Sequence, residues 1–204
     1  MCGFAGFLTT FDVSTLGSLE AIVTRMALAI QHRGPDDAGA WADAQAGIAF
    51  GHRRLSIVDL SPAGHQPMAS AGGRFVIAFN GEIYNHLELR AELASTAAAP
   101  AWRGHSDTET LLAAFEHWGI EATLQKAVGM FAIALWDKRE RTLHLARDRF
   151  GEKPLYYGWV NGAFVFGSGT QGAAFNPLFR PIFIVATALQ NRCNLGGDDT
   201  VEPV

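Results

Sequence analysis

Cysteine, charge and long apolar runs are all scarce in this chain. Only Cys2 and Cys193 occur among its 204 residues. Two cysteines do not make a disulfide framework, and without a C-x-x-C pair or a Cys/His cluster they offer no zinc site. The seven histidines are scattered, and none has metal-ligand spacing, so they read as exposed or internally satisfied side chains. Charged residues are 18% of the chain and the net charge is -4, a balance that provides no basic surface for nucleic acid. No apolar run is long enough to span a membrane. The N-terminus, Met-Cys-Gly-Phe-Ala-Gly-Phe-Leu, lacks the positive segment of a secretion signal. The expected compartment is therefore the cytoplasm. No P-loop and no G-x-G-x-x-G is present.

What is there suffices for one substantial domain. Hydrophobic residues are 49% of the composition, ordinary for a globular chain with a packed core. Cys2 to Leu8, apolar and rich in small residues, suits a buried strand. Leu19, Ile22, Met26 and Ile30 recur at helical intervals and predict a helix over 19–30. The run Arg33-Gly34-Pro35-Asp36-Asp37 ends it in a turn. Gly47 to Asp59 reads as two strand pieces around Gly51-His52-Arg53-Arg54, and Arg74 to Phe79 as a strand ending at Asn80-Gly81. A second helix is expected over 87–93. Ser106-Asp107-Thr108-Glu109 has the form of a capping box, with Leu111, Leu112, Phe115 and Trp118 as the apolar face behind it and Gly119 as the stop. Strands follow at 129–137, 142–148, 155–160 and 163–167, the last two joined by the hairpin signal Asn161-Gly162. Strands, then helices, then antiparallel strands predict an α+β fold in which helices cover antiparallel sheets. Residues 169–204 carry no clear pattern and are expected to be an irregular tail.

Cys2 stands out by position. A small second residue permits removal of Met1, which leaves a cysteine with a free α-amine. An α-amine titrates at roughly 7.7–8, so near neutral pH much of it can accept a proton. A thiol, near roughly 8.5, needs such a base to become a nucleophile. One residue would then carry both groups. The alternative is that Cys2 is a small buried hydrophobe.

Six motifs occur in order around it: Met-Cys2-Gly3-Phe-Ala-Gly6, His32-Arg33-Gly34-Pro35-Asp36, Arg54-Leu55-Ser56-Ile57-Val58-Asp59, Asn80-Gly81-Glu82-Ile83-Tyr84-Asn85, Ser106-Asp107-Thr108-Glu109, and Gly129-Met130-Phe131-Ala132 with Arg147-Asp148-Arg149-Phe150-Gly151-Glu152-Lys153-Pro154-Leu155-Tyr156-Tyr157. Over about residues 1–168 the chain resembles the N-terminal glutaminase domain of glutamine-hydrolysing asparagine synthetases, a class II glutamine amidotransferase. The resemblance implies an N-terminal-nucleophile (Ntn) hydrolase fold, an αββα sandwich of two antiparallel sheets covered by helices. It implies L-glutamine as substrate and Cys2 as nucleophile. Deamidation passes through a negatively charged tetrahedral oxygen that needs hydrogen-bond donors; the family's Asn-Gly pair makes Asn80 and Gly81 the expected oxyanion hole. The competing reading of Asn80-Gly81 is a plain turn. Arg54 suits the glutamine carboxylate through two parallel hydrogen bonds, and Asp107, with help from Glu82, suits its ammonium. The Ile57-Val58 stretch is implied to line the pocket with backbone atoms. Against these roles stand helix capping for Asp107 and a strand-surface charge for Arg54. Arg147 to Tyr157 reads as a structural turn near a contact with a second domain.

That second domain, in the family, adenylates aspartate with ATP using a Ser-Gly-Gly-x-Asp-Ser loop, which is missing here. ATP and magnesium are thus expected only for an absent or separate synthetase domain, and this chain is expected to need no cofactor or metal. A homodimer is compatible with the resemblance. After Ser168 the family continues Glu-x-Lys-Ala-Leu, whereas this chain reads Gly169-Thr170-Gln171-Gly172-Ala173-Ala174-Phe175. The codons GGA ACT CAA GGC GCT GCG TTC would encode this stretch and, shifted by one base, read Glu-Leu-Lys-Ala-Leu-Arg. Residues 169–204 are therefore expected to be a frameshifted tail, which the gene sequence would test. The rival to an enzyme is a glutamine-binding remnant without turnover, and relatives that amidate sugars or peptides leave the ammonia acceptor open.

Overall fold

The computed structural model describes residues 2–9, 17–55, 62–96, 100–169, 180–181 and 187–190. Eleven strands and four α-helices occur among them: β1 (Gly3–Leu8), α1 (Leu19–Leu28), β2 (Asp37–Asp43), β3 (Ile48–Arg54), β4 (Met68–Ala69), β5 (Phe75–Ile83), α2 (His86–Ala94), α3 (Asp107–Trp118), α4 (Ile120–Lys126), β6 (Gly129–Asp137), β7 (Thr142–Arg147), β8 (Tyr156–Val160), β9 (Ala163–Gly167), β10 (Arg180–Pro181) and β11 (Thr187–Gln190). The first sheet runs β10-β8-β9-β1-β3-β2 and the second β11-β7-β6-β5-β4. Every pairing is antiparallel.

Strand alternation explains the layers. Side chains two apart share a face, so Phe4 and Leu8 of β1, Ile48 and Phe50 of β3, and Phe164 and Phe166 of β9 point one way. They meet Val76 and Ala78 of β5, Ala132, Ala134 and Trp136 of β6, and Leu143 and Leu145 of β7 in one core between the sheets. The intervening residues face outward. Phe75, Ile77 and Phe79 of β5 and Phe131, Ile133 and Leu135 of β6 pack under Leu89 of α2, Leu111, Leu112 and Phe115 of α3, and Leu124 of α4. Phe7 of β1 and Ala49 of β3 pack under Val23 of α1. The result is the helix-sheet-sheet-helix sandwich expected from the sequence. Strand β3 lies between the second sheet and α1, so Ile48–Arg54 is buried throughout, its polar end His52-Arg53-Arg54 included.

Several local readings change. Helix α1 ends at Leu28, and Gln31–Arg33 form a separate 3-10 turn. Gly51–Arg54 do not divide two strand pieces but lie inside the single strand β3. Asn80-Gly81 does not end a strand: β5 runs on to Ile83. The strand Asp37–Asp43 and the helix Ile120–Lys126 are additions to the sequence reading. The expected capping box forms only by half. Ser106 Oγ accepts the Glu109 N–H at 3.2 Å, but the Glu109 carboxylate turns to the N–H groups of Arg103 at 2.7 Å and Gly104 at 3.1 Å. Two pieces of the stretch read as irregular, 180–181 and 187–190, pair with β8 and β7.

Candidate active site

At one end of the sandwich the inner rows stop being apolar. The β1 row, extended backward from Phe4, reaches Cys2; the β3 row passes Phe50 and His52 to Arg54; the β5 row passes Ala78 to Asn80 and Glu82. These ends surround a cavity of about 100 Å³. Its lining includes Cys2, Arg54, Asn80, Gly81, Glu82 and Asp107, so the structure gathers all the described candidates from four elements separated by up to a hundred residues. Ile57 and Val58 lie outside the described residues.

The half-buried Cys2 thiol faces the Leu55 peptide. It donates to the Leu55 carbonyl at 3.4 Å and accepts the Leu55 N–H at 3.3 Å. The His32–Asp36 turn supports both Cys2 and Arg54. An Arg33 Nη donates to the Cys2 carbonyl at 3.5 Å, and Asp36 N–H donates to the Arg54 carbonyl at 3.1 Å. Gly34 lies flat on the Arg53–Arg54 peptide: a Cβ there would sit 2.4 Å from the Arg53 carbonyl carbon. Arg54 is not a strand-surface charge, since it is 8% exposed. Its guanidinium packs on Gly64, where a side chain would collide with it.

The edge of β5 decides what Asn80 and Gly81 offer. β4 is only two residues long and pairs with Val76 and Ile77, so the edge beyond is left to other partners. Successive odd residues turn their N–H groups to this edge. Phe79 N–H is taken by Gln66 Oε1 at 2.7 Å and Ile83 N–H by Asp107 Oδ2 at 3.0 Å. Gly81 lies midway between them in the same alternation. Phe131, its partner across the ladder, spends its own N–H and carbonyl on Asp148. Gly81 N–H therefore points away from β6, towards the cavity that Gly81 lines. A glycine is needed at this position, because a Cβ would lie 2.2 Å from the Met130 carbonyl oxygen. Beside it, Asn80 is 1% exposed, and its Nδ2 has no hydrogen-bond partner among the described residues. A buried donor without an acceptor is costly, about 1–3 kcal/mol, and one placed in a cavity wall is available to a ligand.

Asp107 caps no helix of its own in the expected sense. Its Oδ1 accepts the Thr108 N–H at 2.8 Å, while Oδ2 reaches across to β5. Burial raises its carboxyl above the ordinary range, against the pull of the Ile83 and Thr108 N–H groups.

Gln66, Thr108 and Lys153 are among the cavity residues that were not anticipated. Gln66 and Thr108 reach each other through Gln66 Nε2 at 3.3 Å. Lys153 comes from the Arg147–Tyr157 segment, expected to be structural, yet it is buried in the cavity wall. Asp148 builds that segment by accepting N–H groups of Phe131, Phe150, Glu152 and Lys153. Burial alone would raise the Asp148 carboxyl; the N–H groups outweigh it and hold it below the usual range. The acidic type at 148 was visible in the sequence, but nothing periodic marked Gln66 or Lys153.

Comparison with known proteins now decides the family. Residues 1–190 match the family described as glutamine amidotransferase domain. The chain belongs to that family. This amidotransferase domain is 43% identical over 168 residues to asparagine synthetase (glutamine-hydrolyzing) 1 of Bacillus subtilis, covering 82% of the chain and 26% of that relative. It is 42% identical over 167 residues to a putative asparagine synthetase (glutamine-hydrolyzing) of Mycobacterium bovis, covering 76% of the chain and 25% of the relative. The chain thus spans about a quarter of the length of these curated relatives. Among solved structures, the glutamine phosphoribosylpyrophosphate amidotransferase of B. subtilis superposes with a TM-score of 0.74 at 19% identity, over 93% of this chain and 47% of that one. The amidotransferase domain therefore has the Ntn-hydrolase α+β sandwich. Among its described residues no group of His, Cys, Asp and Glu is placed to hold a metal, and no helix is long and apolar enough to cross a membrane.

Proposed function

We propose that this domain hydrolyses the side-chain amide of L-glutamine, with Cys2 as nucleophile once Met1 is removed. The observation that carries the reading is the meeting, in one cavity, of the Cys2 thiol with the unpartnered Asn80 amide and the edge N–H of Gly81. The thiol passes its proton to the Cys2 α-amine, and the sulfur forms a bond to the γ-carbonyl carbon. Charge moves to the carbonyl oxygen, where Asn80 Nδ2 and Gly81 N–H donate to it. Collapse breaks the C–N bond, and the α-ammonium returns its proton to the departing nitrogen, which leaves as ammonia. Water then adds to the γ-glutamyl thioester, the amine takes the water's proton, and glutamate departs as the thiol is restored. Arg54 pairs with the glutamine carboxylate in a two-pronged contact. Asp107 and Glu82, which line the same cavity, pair with its ammonium.

The ammonia acceptor belongs to a synthetase unit beyond residues 1–168, as in the asparagine synthetases the chain resembles, and the ATP and magnesium of that step belong there too. Exposed apolar side chains on the β5–α2, α4–β6 and 148–153 turns support a docking face: Tyr84, Val128 and Phe150 stand out, the last at 92% exposure. The test is ammonia and glutamate release from glutamine by the purified chain, beside Cys2→Ala and with intact mass confirming loss of Met1. We expect turnover in the processed wild type and none in Cys2→Ala or in chains that retain Met1. Equal turnover with and without the Cys2 thiol would overturn the proposal.

A further inference from the structure

Two side chains, Gln66 of the cavity lining and His52 of β3, hold the main chain of Phe79, the residue before Asn80. Gln66 Oε1 accepts its N–H at 2.7 Å, and His52 Nε2 lies 3.0 Å from its carbonyl oxygen. A carbonyl can only accept, so Nε2 carries the hydrogen and donates. His52 comes from the inner face of β3 in the first sheet, so this bond ties the two sheets together. Gln66 in turn donates from Nε2 to Thr108 Oγ1 at the start of α3. The Phe79 peptide is therefore fixed to three separate elements.

The need for such ties follows from the sheet. β4 begins at Met68, opposite Ile77, and runs away from Phe79. Beyond Ile77, among the described residues, β5 has a backbone partner on one side only, β6. Asn80 and Gly81 hang from this half-supported stretch. The His52 ring is fully buried, and its Nδ1 has no partner among the described residues. A phenylalanine would fill a similar volume without burying an unpaired nitrogen, so packing alone does not account for a histidine here. The one hydrogen bond its ring makes among the described residues is to Phe79.

We propose that Gln66 and His52 are positioning residues of the oxyanion hole: together they clamp the Phe79 peptide, and so set where the Asn80 amide and the Gly81 N–H point. The claim rests on the glutaminase reading and adds two residues to it.

Four variants test it. Gln66→Met and His52→Phe remove the acceptor and the donor at nearly constant size. Gln66→Glu keeps an acceptor for Phe79 N–H, and His52→Gln keeps a side-chain N–H. In the first pair we expect kcat to fall about 10–100-fold, as for a misplaced catalytic group, with KM for glutamine changed by less than about threefold. Binding of L-glutamate γ-semialdehyde is the second readout. Its adduct with Cys2 puts an oxygen where the oxyanion forms, so its affinity should fall by the same factor as kcat. Alkylation of Cys2 by iodoacetamide should keep its wild-type rate. Gln66→Glu and His52→Gln should recover most of the loss. Unchanged kcat and aldehyde affinity, or a rise in KM alone, would overturn the clamp and leave the glutaminase assignment standing. If the wild type releases no ammonia, that assignment fails instead, and aldehyde affinity measured by calorimetry still decides the clamp. Should Gln66→Met not fold, Gln66→Asn, which withdraws the amide by one methylene, carries the same expectation.

Discussion

Truncating Asn80 to alanine removes a buried amide whose Nδ2 finds no acceptor in the resting domain. Two effects of opposite sign act on stability. Losing an unsatisfied donor relieves a penalty of about 1–3 kcal/mol. Emptying the space beside Ala78 and Ala132 sacrifices packing, at about 24 cal/mol per Å3 of cavity that remains. For a group as small as a carboxamide these nearly cancel, so the net change should lie within about 1 kcal/mol. In a domain of this size that is about 2–4 °C in Tm. Catalysis has no such compensation. With the substrate oxygen charged, the same N–H becomes a charge-assisted donor, and its loss should lower kcat about 100- to 1000-fold, or roughly 3–4 kcal/mol. Asn80→Asp should be worse still, because it sets a carboxylate against the developing charge. The assay pairs ammonia release at saturating glutamine with thermal melts of the same preparations. A variant that keeps more than a tenth of wild-type kcat, or one whose activity falls only in step with a collapse in Tm, would refute the reasoning.

Three further expectations follow from the same geometry. Asp107→Asn leaves either Ile83 N–H or Thr108 N–H without an acceptor, so stability in urea should fall by about 1–3 kcal/mol; KM for glutamine should rise more than kcat falls, as the partner of its ammonium loses its charge. Burial pushes the His52 imidazole down from 6.5 to about 4 against the pull of its bond to Phe79. The unfolded chain then takes up a proton that the native state refuses, so stability is full above pH 6.5 and declines as pH falls towards 4, by about 3 kcal/mol in all. Burial lowers His144 as well and adds in the same direction, while the depressed carboxyls Asp37, Asp137 and Asp148 act only below their ordinary 3.8. Urea midpoints at pH 7 and pH 4.5 should show the decline in wild type and a smaller one in His52→Phe; equal slopes would remove His52 as its source. Gly34→Ala drives a Cβ into the Arg53–Arg54 peptide, 2.4–2.5 Å away, and should cost about 1–3 kcal/mol by overpacking while raising KM through displacement of Arg54. Wild-type kinetics in Gly34→Ala would show that the turn does not place Arg54.

The share of the molecule legible in the sequence was the share governed by local rules. Helical spacing of Leu19, Ile22 and Met26, the Ser106 cap, and the Asn161-Gly162 hairpin each depend on residues within a turn or two of one another. So did the α+β class and the positions of most strands. β2 escaped because Asp37–Asp43 is a run of small residues around one tryptophan with an aspartate at each end, and its strand character comes from pairing with all of β3. α4 is seven residues long, too short for its period to declare itself. The site candidates were recognisable from their motifs, and the chemical types at Cys2, Arg54 and Asp107 already suited a zwitterionic amide.

Tertiary structure alone decided how those residues work together. Asn80-Gly81 has the local signature of a turn; pairing with Ala132 and Phe131 holds it inside a strand instead, and that is what turns one N–H and one amide into the same cavity. Asp107 looked like a cap, but Ile83 approaches it from another element and changes its task. Gln66, His52 and Lys153 carry no signal that a period or a spacing could reveal. Their value depends on where β4 begins and which edge of β5 stays open, and an open edge is a property of the paired sheet, absent from any single stretch of chain.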